Sequence, residues 1–164
     1  ELAKIQRRAG NLDYTMKRPT GASIPDVAYG PPGYFNEKGI SQSDTNLSAI
    51  TTKLGPGVSL KGLLGSSPKD AAETLLRVSL TPEGSGKVGT LLDTQEETRG
   101  MGNVYTLEYK VDRGEKGLPL RAISIIAVQG GDLITYTVVA PAKDWVGDYE
   151  MMLRKMADSF KLTR

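Results

Sequence analysis

Gly84-Ser85-Gly86-Lys87-Val88-Gly89 fits the spacing G-x-G-x-x-G, in which glycines allow a tight turn and let a phosphate approach a helix N-terminus. That chemistry needs a strand before the loop and a helix after it. Here the loop follows a helical pattern and runs into a strand-like one, so the segment reads as a turn. Val88 also follows Lys87 where a magnesium-holding Ser or Thr would stand in a Walker loop. Asp93, Glu96 and Glu97 form the densest acidic group. Paired carboxylates perform acid–base work or hold calcium, but neighbours on a strand point to opposite faces, which separates Glu96 from Glu97. Asp112, Glu115 and Asp132 stand where they can gather at loop ends, although their spacing matches no EF-hand. The chain has no cysteine and no histidine. Thiolate nucleophiles, disulfides, histidine-based triads and most zinc sites are thereby excluded. No catalytic, cofactor-binding or metal-binding residue is assigned.

What remains is chemistry of contact. Lys4, Arg7 and Arg8 lie in a polar opening segment, and Lys17 and Arg18 follow soon after, so these cations are expected to meet a partner. Lys143 and Trp145 join them as candidate partner contacts just ahead of the last helical pattern. The Trp145 ring also suits a staple between that helix and a sheet. Met151, Met152 and Met156 read as core and helix filling.

The elements that must position these groups follow from periodicity. Leu12, Tyr14 and Met16 alternate with polar residues, predicting a strand over 12–17, which Pro19 stops. Residues 19–46 carry so many Pro and Gly that a long surface loop is expected. Leu47, Ala49 and Thr51 alternate with Ser48, Ile50 and Thr52, giving a second strand ahead of Gly55-Pro56-Gly57. Ser67, Pro68 and Asp70 form a helix start, and the helix runs to about residue 77 with Ala71, Ala72, Leu75, Leu76 and Val78 on its buried side. Strands are predicted over 88–99, 103–112, 119–129 and 132–140, joined by connections short enough for an antiparallel meander. The third of these holds a continuous small-apolar run over 123–128, which asks for cover on both sheet faces. The strand over 103–112 instead alternates Tyr105, Leu107, Tyr109 and Val111 with Thr106, Glu108 and Lys110, and reads as half exposed. Tyr149, Leu153, Met156 and Phe160 trace one stripe of a closing helix over 146–161.

The expected fold class is α+β, an αβα sandwich whose central, mostly antiparallel sheet of about six strands has helices on both faces. Residues 1–11 are expected to form an N-terminal arm and 12–164 a single domain. The 164 residues are 38% hydrophobic and 24% charged, which suits one packed core. A net charge of +2 with both signs interspersed argues against nucleic acid as a partner. No apolar run reaches membrane-spanning length, so any membrane association is expected to be peripheral. Because the chain opens at Glu1 without Met, a removed targeting peptide is expected.

The run Gly131-Asp132-Leu133-Ile134-Thr135-Tyr136-Thr137-Val138-Val139-Ala140, followed by Lys143-Asp144-Trp145 and a helix ending Ala157-Asp158-Ser159-Phe160, resembles the PsbP family. Thr45-Asn46-Leu47-Ser48, Ser67-Pro68-Lys69-Asp70 and Tyr105-Thr106-Leu107-Glu108-Tyr109 are similar to upstream family motifs in the same order. The resemblance implies an αβα sandwich and a non-enzymatic extrinsic subunit on the lumenal side of a photosystem, peripheral to the thylakoid membrane of the chloroplast. It favours photosystem II and support of the oxygen-evolving complex, with an indirect part in calcium and chloride retention and no directly bound cofactor. An assembly or repair factor, a subunit of photosystem I, and a small phosphate-ligand enzyme using residues 84–89 stand as alternatives. Where the family's final helix is lysine-rich near its start, this chain has Gly147, Glu150 and Met151, so that electropositive face is expected to be diminished.

Overall fold

The computed structural model describes residues 26–31 and 43–163. The strand predicted over 12–17 lies outside them. Six strands form one sheet: β1 (Val27–Tyr29), β2 (Asn46–Lys53), β3 (Val88–Arg99), β4 (Gly102–Asp112), β5 (Leu120–Gln129) and β6 (Asp132–Pro141). Their order is β1-β2-β6-β5-β4-β3, and every neighbouring pair is antiparallel. The meander from β3 to β6 is as expected, and the chain crosses from β2 to the far edge through helices. These are α1 (Leu60–Leu64) and α2 (Pro68–Leu75), the latter extended by a π-helical turn at Leu76–Leu80. The last helix, α3 (Gly147–Asp158), lies on the opposite face.

Side-chain parity on the strands divides the core in two. Tyr105, Leu107, Tyr109 and Val111 of β4 pack with Ala122 and Ile126 of β5 beneath Leu60, Ala71, Ala72 and Leu76. On the other face Val104, Ile123, Ile125, Ala127, Val138 and Ala140 pack against Trp145, Leu153, Ala157 and Leu162. Alternate residues of β5 therefore serve both cores, which explains why residues 123–128 are apolar on both parities with only the small, buried Ser124 among them. The fold is the αβα sandwich that the sequence implied.

Local sequence sets the helix ends. Ser67 caps α2 through a 3.2 Å bond from the Asp70 amide, while the Asp70 carboxylate accepts from the Ser67 amide, and Pro68 occupies the first turn where its missing donor costs nothing. The Ser67 hydroxyl, which donates to the Asp70 carboxylate at 2.8 Å, is the main cause holding that carboxyl below its ordinary range, helped by the Ser66 hydroxyl and the Ser67 amide and opposed by desolvation. Two local expectations change, and one short helix appears where none was expected. Residues 27–29 form a strand inside the segment read as a loop, because Val27, Ala28 and Tyr29 find partners on β2. Ser59 caps a five-residue helix, α1, that has no periodicity to show at that length. Val78 is 61% exposed, since the wide π turn rotates it outward and sets Leu80 against the core instead.

Candidate docking face

The face that carries α3 gathers most of the charged contacts. Glu108 sits at its centre, 8% exposed, so β4 is covered on both sides where the sequence suggested a half-exposed strand. The cover comes from α3. Arg121 of β5 donates its Nε to Glu108 at 2.7 Å, and Arg154 of α3 grips the same carboxylate with both terminal nitrogens at 3.1 Å. Arg154 also donates to Glu150 at 2.8 and 3.0 Å. Two guanidinium groups and two carboxylates thus neutralise one another. The bonds to Glu108 and then to Glu150 hold the Arg154 guanidinium more firmly protonated than usual, against the opposing effect of burial.

Trp145 lies in this network. Its ring is 3% exposed, with the Arg121 guanidinium 5.0 Å and that of Arg154 5.9 Å from its centroid. Cations over an indole face are attracted by its quadrupole. The expectation that Trp145 meets a partner is therefore corrected: burial between α3 and the sheet leaves its ring no surface to offer, and its place is the staple. Its neighbour Lys143 keeps a side chain that is 70% exposed. Lys4, Arg7, Arg8, Lys17 and Arg18 lie outside the described residues.

A second polar network closes the end of α3. Arg99 donates to the carbonyl of Ala157 at 2.7 Å and to Glu97 at 2.8 Å, and the Thr106 hydroxyl donates to the same carboxylate oxygen at 2.7 Å. The Arg99 bond, helped by Thr106 and opposed by burial, holds the Glu97 carboxyl below its ordinary value. Glu96, one residue earlier, points to the other face and pairs with Lys61 at 3.5 Å. The separation expected of adjacent strand residues is thus realised. Asp112 and Glu115 stand at one end of the sheet and Asp132 at the other, so the grouping considered for them does not form. Among the described residues no three carboxylates are placed to hold a metal ion.

The loop at residues 84–89 leaves the π turn and enters β3, with Gly84 and Gly86 at φ of +75° and +71°. Positive φ is what a tight turn demands of glycine, and no helix begins there to face a phosphate.

Two concavities flank the bolted centre. A cavity of about 410 Å³ lies between β2 and α3, lined by Tyr29, Leu47, Val138, Tyr149, Met152 and Met156 among others. Met152 and Met156 are 39% and 37% exposed, so these methionines line a groove where the sequence suggested core filling. A notch of about 370 Å³ lies at the corner where β4 ends and β5 begins, lined by Lys110, Leu118, Pro119, Ala142 and Lys143. Sequence reasoning missed Arg99, Glu108, Arg121 and Arg154. The Glu150 and Arg154 spacing of four on a helix was the one visible signal. No helix among the described residues is long and apolar enough to cross a membrane.

The family model described as PsbP matches residues 11–162. No curated protein matches the chain. Among solved structures, cyanobacterial PsbP (CyanoP) from Synechocystis sp. PCC 6803 superposes with a TM-score of 0.59 at 20% identity, covering 73% of this chain and 68% of that one. PA94, a protein of unknown function and putative regulator from Pseudomonas aeruginosa, superposes with a TM-score of 0.54 at 10% identity over 90% of each chain. At these identities the two structures speak for the fold.

Proposed function

Because the chain belongs to the PsbP family, its model matching residues 11–162, we propose that it is a non-enzymatic extrinsic subunit of a photosystem. It docks on the lumenal side of the thylakoid membrane, with photosystem II the favoured partner. The family match is the observation that carries this reading. The physical layout agrees with it. The charged groups around Glu108 are spent in holding α3 to the sheet, which leaves a rigid body whose outer side chains are available for adhesion.

Docking proceeds by burial of surface together with charge complementarity. Lys143 supplies one exposed cation. Lys4, Arg7, Arg8, Lys17 and Arg18 supply others towards acidic lumenal loops. Support of oxygen evolution is then indirect, a shield that slows escape of calcium and chloride from the complex it covers.

Mass spectrometry of isolated photosystem complexes tests this reading. The expected result is stoichiometric recovery with photosystem II at low salt and release by a high-salt wash, because exposed charge pairs are screened. Recovery only with partly assembled complexes would make the protein an assembly factor, and recovery with neither photosystem would sink the reading.

A further inference from the structure

Resting on the docking reading above, we propose that the corner notch lined by Lys110, Leu118, Pro119, Ala142 and Lys143 seats an extended acidic segment of the photosystem's lumenal surface. Charge is the first ground. Both charged residues in the lining are lysines, and the Lys110 ammonium has no ion pair or hydrogen bond among the described residues. Among the described residues the Lys143 ammonium has one ion-pair partner, Asp144, at 4.0 Å and on the surface.

Two charged neighbours of Lys110 are engaged elsewhere. Arg121, in register with Lys110, is neutralised by Glu108 and Glu150. Asp112, two residues beyond Lys110, accepts the Gly114 amide at 2.9 Å. Of the charged groups that line the notch, the two lysines are available to meet a carboxylate.

Shape is the second ground. Between the lysines the floor is apolar, with Leu118 48% exposed, so an apolar side chain beside the incoming acid gains burial as the acid gains charge partners. The floor is also fixed before any partner arrives. The Ala142 amide donates to the Pro119 carbonyl at 2.7 Å, Leu120 pairs with Pro141 across β5 and β6, and Trp145 anchors the following turn. A preformed site loses little further freedom on binding.

The test compares the full chain with Lys110→Glu/Lys143→Glu and with a control of equal charge change on the opposite layer, Lys69→Glu/Arg77→Glu. Binding to salt-washed photosystem II membranes is measured by sedimentation at low salt, with Trp145 fluorescence confirming that each variant is folded. The notch variant is expected to bind about tenfold more weakly and the control to change by less than about twofold. If the notch variant binds like the unaltered chain, or both variants weaken equally, the notch proposal is overturned while the docking reading stands. If the unaltered chain does not bind either photosystem II or photosystem I membranes, the docking reading falls and the notch with it.

Discussion

Glu108 shows how a single side chain ties sequence to tertiary structure. Its position on β4 alternates with apolar residues, which by itself suggests a solvent-facing carboxylate. Two arginines, thirteen and forty-six residues away in the chain, turn that position into a buried anchor. Removing the carboxylate leaves two crowded guanidiniums with less counter-charge, so Glu108→Gln is expected to lower stability by about 2 kcal/mol. A denaturant titration followed by Trp145 fluorescence measures the loss. By the same physics, replacing the whole set together with uncharged residues of similar size (Glu108→Leu, Arg121→Met, Glu150→Gln, Arg154→Met) is expected to recover most of it. Glu97 gives a pH signature. Its native carboxyl lies below the ordinary 4.5, so the unfolded chain takes up the proton first as acid is added. Its contribution is complete above that value and is lost as pH falls through the lower native one. Glu97→Gln is therefore expected to flatten the acid side of the stability profile and to leave its slope at neutral pH unchanged.

At the scale of elements, the parts with strong periodicity or explicit caps were legible, and the parts decided by neighbours were not. The Ser67, Pro68 and Asp70 arrangement marks the start of α2 to the residue, and its removal has a definite size. Ser67→Ala is expected to cost about 1 kcal/mol, read as a lower thermal midpoint. The π turn that follows carries no sequence mark, because it arises from the Thr81 amide and hydroxyl both reaching the Leu76 carbonyl, at 2.7 and 2.8 Å. β1 was hidden for a similar reason: three residues make a strand only because β2 offers them an edge. The tie between the β3–β4 turn and the C-terminal segment is also a product of folding. Gly100 adopts φ of +68°, and a Cβ there would lie 2.3 Å from the Leu162 carbonyl oxygen. Gly100→Ala combines left-handed strain with that clash, and is expected to expose Leu162 and speed amide exchange at Met101 and Leu162. Unchanged exchange at those amides would count against the tie.

At the scale of the molecule, both helical layers lean on the same strands, and this determines how the domain comes apart. Ile123 and Ile125 point into the α3 layer while Ala122 and Ile126 point into the α1 and α2 layer, so neither core survives once β5 is lost. The apolar run of β5 announced this two-sided burial in the sequence. The candidate site was less legible: Lys143 was named as a contact from its place before the last helix, whereas Lys110 joins the same notch only when β5 and β6 bring the two lysines together. Two natural reporters weight the layers differently: Trp145 lies in the α3 layer alone, whereas the tyrosines sample both, Tyr105 and Tyr109 in the α1 and α2 layer and Tyr136 and Tyr149 beside α3. Unfolding followed by tryptophan fluorescence and by tyrosine absorbance is expected to give coincident midpoints. Leu153→Ala, which empties part of the α3 layer alone, is expected to cost about 3 kcal/mol of stability and to lower both midpoints together. If instead α3 peeled away first, the tryptophan transition would come early and the tyrosine one would split, Tyr136 and Tyr149 moving with α3 ahead of Tyr105 and Tyr109. A docking surface whose lysines are held by β4 and by the turn after β6 would then shift with it, and the rigid-body binding inferred for the notch would lose its basis.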